Sequence, residues 1–138
     1  MVSKGKMFKW FFTDHELYNT IKKADSGDPE AQLLLADRYY YGEGLGLDLK
    51  EAFFWYEKAA SNGSAKAMCL QGYCLREGIG TEKDEAKAFE LFKGSAKEGF
   101  PMAMYDLALC YRDGKGTASD KEKADEWFDK AREAGYSE

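Results

Sequence analysis

Few residues of this chain carry reactive chemistry: the cysteines Cys69, Cys74 and Cys110, the single histidine His15, and the run Gly114-Lys115-Gly116-Thr117. A thiol beside an imidazole makes a nucleophile, and thiols with histidine bind zinc. Zinc sites use closely spaced cysteine pairs, which these three do not form. A dyad with His15 competes with a simpler reading, in which the thiols are small buried apolar groups and the imidazole lies on the surface. Gly114-Lys115-Gly116-Thr117 imitates the end of a phosphate-binding loop. The first glycine of G-x-x-x-x-G-K-[ST] is missing, however, and no strand precedes the run. The matching positions elsewhere read Gly42-Glu43-Gly44 and Gly78-Ile79-Gly80, so the middle residue varies as it does in a turn. No carboxylate pair stands isolated on an apolar face, where it would serve as general acid and base. No catalytic residue, cofactor site or metal site is expected, and the chain reads as non-enzymatic.

The glycine pairs belong to a larger pattern. The sequence repeats every 36 residues, in units 28–63, 64–99 and 100–135. Six columns are identical in all three units: Ala31/Ala67/Ala103, Gly42/Gly78/Gly114, Gly44/Gly80/Gly116, Asp48/Asp84/Asp120, Ala52/Ala88/Ala124 and Gly63/Gly99/Gly135. A period of this size marks stacked supersecondary units, none of which buries its apolar face alone. Residues 1–27 form an N-terminal tail and cap helix, and 136–138 a short tail, within one domain overall.

Each unit holds two helices around a glycine-bearing loop. Pro29 and Pro101 fall in the first helical turn, where a missing N–H is harmless. Asp28 and Ser64 precede the first helices as side-chain caps, whereas Phe100 is a poor one. The inward face of the first helices carries Ala31, Leu35, Ala36 and Tyr39, then Ala67, Gly72 and Leu75, then Ala103, Leu107, Ala108 and Tyr111. Second helices start at Asp48, Asp84 and Asp120. They bury Ala52, Trp55, Tyr56 and Ala59, then Ala88, Leu91, Phe92 and Ser95, then Ala124, Trp127, Phe128 and Ala131. Gly94, inside the middle second helix, costs that helix about 1 kcal/mol against alanine.

The pattern Ala31-x-x-x-Leu35-Ala36-x-x-Tyr39-x-x-Gly42-x-Gly44, followed by Asp48, Ala52, Trp55-Tyr56, Lys58-Ala59-Ala60 and Gly63, resembles the Sel-one-like repeat, a relative of the tetratricopeptide repeat with a longer loop. The middle unit departs most, with Gln71 and Leu75 where leucine and tyrosine are expected. The resemblance implies an all-α fold: a right-handed α/α superhelix, or solenoid, of three helix-turn-helix repeats plus an N-terminal cap helix. It also implies an adaptor in protein complexes. Some family members bridge each hairpin with paired cysteines, and this chain lacks those pairs.

Bulk properties agree with a protein-binding role. A net charge of −5 argues against nucleic acid, which needs a basic face. Cys74 and Cys110 share a column on neighbouring helices, which pack roughly 8–10 Å apart, beyond bridging distance. Free thiols point to a reducing, cytoplasmic location. No apolar run approaches the roughly 18 residues that span a bilayer. Met7–Phe12 either packs over the first unit or contacts a membrane or partner; the basic start is too soon interrupted by Lys9, Asp14 and His15 for a signal peptide.

Leu17, Ile21 and Ala24 have helical spacing within a cap helix over Asp14–Asp25. At the other end, the column of Phe53 and Phe89 becomes Asp125, and that of Ala60 and Ala96 becomes Arg132. Polar residues there suggest that the array stops at three units.

In a superhelix of this kind the first helices line the concave side. Their outward stripe is Glu30, Leu33, Asp37 and Tyr40; Lys66, Cys69, Tyr73 and Arg76; Met102, Tyr105, Leu109 and Arg112. Tyrosine and arginine dominate interface hot spots. Partner binding is therefore expected at Leu33, Asp37, Tyr40, Tyr73, Arg76, Tyr105, Leu109 and Arg112. Tyr73 and Arg112 should face one shared hollow, with Arg76 and Arg112 gripping an acidic segment. The leading function is a non-catalytic scaffold or adaptor that holds a partner peptide or domain there. The alternative is a dedicated inhibitor or immunity protein that neutralises a cognate toxin or enzyme.

Overall fold

A computed structural model describes the backbone of residues 4–136 and the side chains of residues 15–136. Among these residues there are seven helices and no strand. They are α1 (Lys4–Asp25), α2 (Pro29–Tyr41), α3 (Leu49–Ser61), α4 (Ala65–Glu77), α5 (Glu85–Lys97), α6 (Pro101–Asp113) and α7 (Lys121–Glu133). Helix pairs α2–α3, α4–α5 and α6–α7 form hairpins, and each hairpin packs on the next. None of these helices is long and apolar enough to cross a membrane.

The helix ends follow from side-chain chemistry. Asp48, Asp84 and Asp120 accept the backbone N–H of Glu51, Lys87 and Lys123 at 3.0–3.1 Å. Asp28 and Ser64 cap α2 and α4, while Phe100 leaves the start of α6 without a side-chain cap. Gly42, Gly78 and Gly114 end the first helices in the left-handed region. Each loop then folds back, the N–H of Asp48, Asp84 and Asp120 donating to the carbonyls of Tyr39, Leu75 and Tyr111.

The second glycine of each pair does something different. A Cβ on Gly80 would collide with the carbonyl oxygen of Leu49, and one on Gly116 with that of Glu85. The loop of one hairpin thus sits directly on the first turn of the second helix in the hairpin before it. At Gly44 the same space meets only the side chains of Arg38 and Leu17, in ordinary contact.

The core runs through the stack. Phe92, Leu35 and Leu107 are fully enclosed, each worth about 1.5–3 kcal/mol of apolar burial. Gly72 makes room for the Phe92 ring, which a Cβ there would approach to 2.8 Å. Leu17 and Ala24 of α1 are buried with Ala31 and Leu35, and Ile21 packs beside them. The cap helix is longer than its expected Asp14 start: it runs from Lys4, with no proline before Asp14 and Gly5 confined to its first turn. The side chains of Met7–Phe12 lie outside the described residues, as does the tail beyond 136. At the far end Asp125 and Arg132 are exposed, whereas Phe89 and Ala96 in the same columns are buried.

Gly94 has no such packing role: a Cβ there would sit 3.8 Å from the Met68 sulfur, in ordinary contact. Gly94→Ala should therefore stabilise the protein by about 0.5–1 kcal/mol through helix propensity alone, read as a higher urea midpoint at unchanged slope. A lower midpoint would mean that α5 needs the glycine.

Candidate functional site

First helices α2, α4 and α6 lie side by side and enclose a hollow of about 600 Å³. Asp37 and Tyr40 come from α2, Lys66, Cys69, Tyr73 and Arg76 from α4, and Met102, Tyr105 and Leu109 from α6. The outward stripe thus largely converges, since residues three or four apart share one helical face.

Two expected residues lie elsewhere. Leu33 packs between the first two hairpins, against the cluster of Ala59, Ala60 and Ala67. Arg112 does not share the hollow of Tyr73. It lines a neighbouring depression with Asp125, Asp129 and Arg132, and pairs with the adjacent Asp113 at 2.9 Å. The physical reason is its position: among the described residues α6–α7 is the last hairpin, so no further first helix closes a wall over Arg112. The two depressions adjoin at Tyr105 and Tyr136.

Arg76 is also not poised to grip an acidic partner. Its Nη1 donates to Asp106 Oδ1 at 3.2 Å and its Nε to Glu77 Oε1 at 3.0 Å. The guanidinium lies 5.3 Å from the Tyr73 ring centroid and 5.5 Å from that of Phe92. Asp106, only 9% exposed, also faces the Cys69 thiol at 3.5 Å. Burial pushes the Asp106 carboxyl up, with Arg76 opposing the shift. This network ties the second hairpin to the third. A sequence clue existed: Asp106 occupies the column where the other units carry Leu34 and Leu70.

The other wall is aromatic. Tyr41, Tyr56, Cys74 and Tyr136 join the lining, although none belongs to the outward stripe. The Tyr56 hydroxyl donates to Asp37 Oδ1 at 2.5 Å. Tyr56 is held protonated, its phenol pushed up by burial and then by Asp37. Burial also raises Tyr40, with Tyr73 adding to the shift.

All three thiols are free and buried. Burial pushes Cys74 and Cys110 from 9.0 up to about 11, and Cys69 higher still. Thiols so placed are protonated and poorly nucleophilic at neutral pH. His15 is exposed on α1, and among the described residues no group of His, Cys, Asp or Glu is arranged to hold a metal ion. Lys115 of the phosphate-loop lookalike reaches back to Glu85 at 3.9 Å, in a turn that follows a helix rather than opening one.

The thiol shifts carry a pH signature. A thiol harder to ionise when folded stabilises the fold fully below the unfolded value near 9, and that contribution disappears as pH rises through about 11. The parent should lose stability across this window, by up to roughly 2–3 kcal/mol per thiol. Cys74→Ala should fall less steeply in urea titrations at stepped pH. Parallel slopes for the two proteins would refute the shift.

Stacked helical hairpins with a side-chain-lined hollow across their first helices define an α/α repeat solenoid. The Sel1 repeat matches residues 29–64, 65–100 and 101–136, and the chain belongs to the Sel1 repeat family. A Sel1 repeat protein from Oxalobacter formigenes shares 38% identity, with a TM-score of 0.81 over 88% of this chain and 91% of that one. The protective antigen c5321 of uropathogenic Escherichia coli, described as displaying an SLR fold, shares 28% identity with a TM-score of 0.73; the match covers 87% of this chain and 33% of the antigen. Cysteine rich protein B of Helicobacter pylori, at 18% identity, has the same fold, with a TM-score of 0.69 over 88% and 90% of the two chains. No curated protein matches this chain. Sel1 repeat proteins generally mediate protein–protein interaction, and the fold is typically a non-catalytic scaffold.

Proposed function

We propose that this chain is a non-catalytic interaction module that holds a segment of a partner protein in the hollow across α2, α4 and α6. The observation that carries this reading is the 600 Å³ hollow with Tyr40, Tyr41, Tyr73 and Tyr105 in its wall. Tyr41 is 65% exposed and Tyr73 37%. Tyrosines supply large contact area with a polar handle and little rotamer entropy to lose. Three buried free thiols support a reducing location such as the cytoplasm.

The test is affinity capture from lysate with identification by mass spectrometry. Tyr41→Ala/Tyr73→Ala should lose the captured protein at unchanged melting temperature, while Arg112→Ala, in the neighbouring depression, should retain it. Retention by the folded tyrosine variant would place binding on another face.

A further inference from the structure

We propose that the end of the hollow around Asp37 takes a lysine or arginine side chain from the bound partner segment. This rests on the interaction reading above and names the chemistry that the segment must carry. Tyr40 and Tyr41 meet edge to face with centroids 4.9 Å apart, and Tyr40 and Tyr56 likewise at 6.5 Å. Rings set this way wall a corner rather than fill it. Asp37 stands in the same wall and accepts only the neutral Tyr56 hydroxyl. No cation pairs with it among the described residues.

The other charges of the hollow do not compete for this role. Arg76 is already matched by Asp106 and Glu77. Lys66 lies in the first turn of α4, seven residues before Tyr73, which is about 10 Å along the helix axis. An incoming carboxylate at that end would be repelled by Asp37, with Lys66 back in the first turn of α4 and Arg76 already paired. An aliphatic side chain would strip water from Asp37 and return no bond. A basic side chain meets both the carboxylate and the ring faces, the combination that recognises cations elsewhere. The wall shows the same chemistry internally, since the Arg76 guanidinium lies over Tyr73. The net charge of −5 also favours encounter with basic segments.

The probe is a set of immobilised octapeptide libraries, randomised except for one central position fixed as lysine, arginine, norleucine or glutamate, incubated with the labelled full chain. Lysine or arginine libraries should retain about fivefold more protein than norleucine, and glutamate the least. Asp37→Asn keeps an acceptor for Tyr56 and should erase most of that preference at unchanged melting temperature. Tyr41→Leu, at an exposed position, should weaken it too, and serves if Asp37→Asn does not fold. Equal retention by all libraries, or preference for glutamate, overturns the basic-side-chain inference while leaving the interaction reading intact. Retention by none of them overturns both. A lysine preference that survives in both variants places the cation elsewhere in the hollow and overturns the assignment to Asp37.

Discussion

Gly116→Ala is expected to lower the melting temperature by about 10–20 °C, and Gly44→Ala by only a few degrees. Both glycines have positive φ, 75° and 74°. A left-handed alanine costs about 1–2 kcal/mol at either site. Only Gly116 adds a steric term. Its new Cβ would overlap the Glu85 carbonyl oxygen and lie 2.8 Å from the Phe89 Cβ. Backbone cannot swing aside as a long side chain can, so the hairpins must separate locally. Overpacking of this kind costs about 1–3 kcal/mol more. At Gly44 the nearest atoms are Arg38 Nη1 at 3.4 Å and Leu17 Cδ2 at 3.6 Å, both able to yield. Circular dichroism melts of the two variants decide the matter. Equal losses would show that hairpin docking tolerates a side chain at Gly116.

Asp106→Leu should destabilise by about 2–4 kcal/mol, even though leucine is what the other two units carry in that column. The substitution leaves the Arg76 guanidinium, whose side chain is only 24% exposed, with Glu77 as its one remaining carboxylate partner. The Cys69 thiol loses its partner as well. Asp106→Leu/Arg76→Leu removes the half-matched charge as well and should recover most of the loss, because apolar replacement of a buried ion pair is commonly near neutral. The coupling is read from a double-mutant cycle by chemical denaturation. Additive losses would mean that the ion pair contributes nothing between the second and third hairpins.

Local features were the most legible in the sequence. Aspartates 48, 84 and 120 cap the second helices as their column placed them, and Phe100 leaves its helix uncapped. Each of these depends on a side chain and a backbone two or three residues away. Leu17, Ile21 and Ala24 show the cap helix for the same reason, since one helical face needs only its own spacing. What stayed hidden is contact across hairpins. Gly80 and Gly116 look like ordinary turn glycines until the carbonyl of the preceding hairpin is brought against them. Arg76 reads as a free charge until Asp106, thirty residues on, is folded beneath it. Leu33 and Arg112 miss the hollow because a stripe drawn identically on every unit ignores what each unit packs against: Leu33 meets Ala59, Ala60 and Ala67, and Arg112 lies on the last first helix of the described residues. Tyr41 and Tyr56 enter it from positions that a single-helix face does not include.

The seating of Gly80 and Gly116 on a carbonyl of the preceding hairpin has an evolutionary corollary. At both steps main chain meets main chain, with the Phe89 Cβ beside the second joint. Mutations at exposed residues away from that joint, such as Tyr41 and Tyr73, can therefore accumulate without altering how one step rests on the next. The exposed surface is free to drift while that contact stays constant, and a duplicated 36-residue block would need a glycine at this position to seat on the one before it.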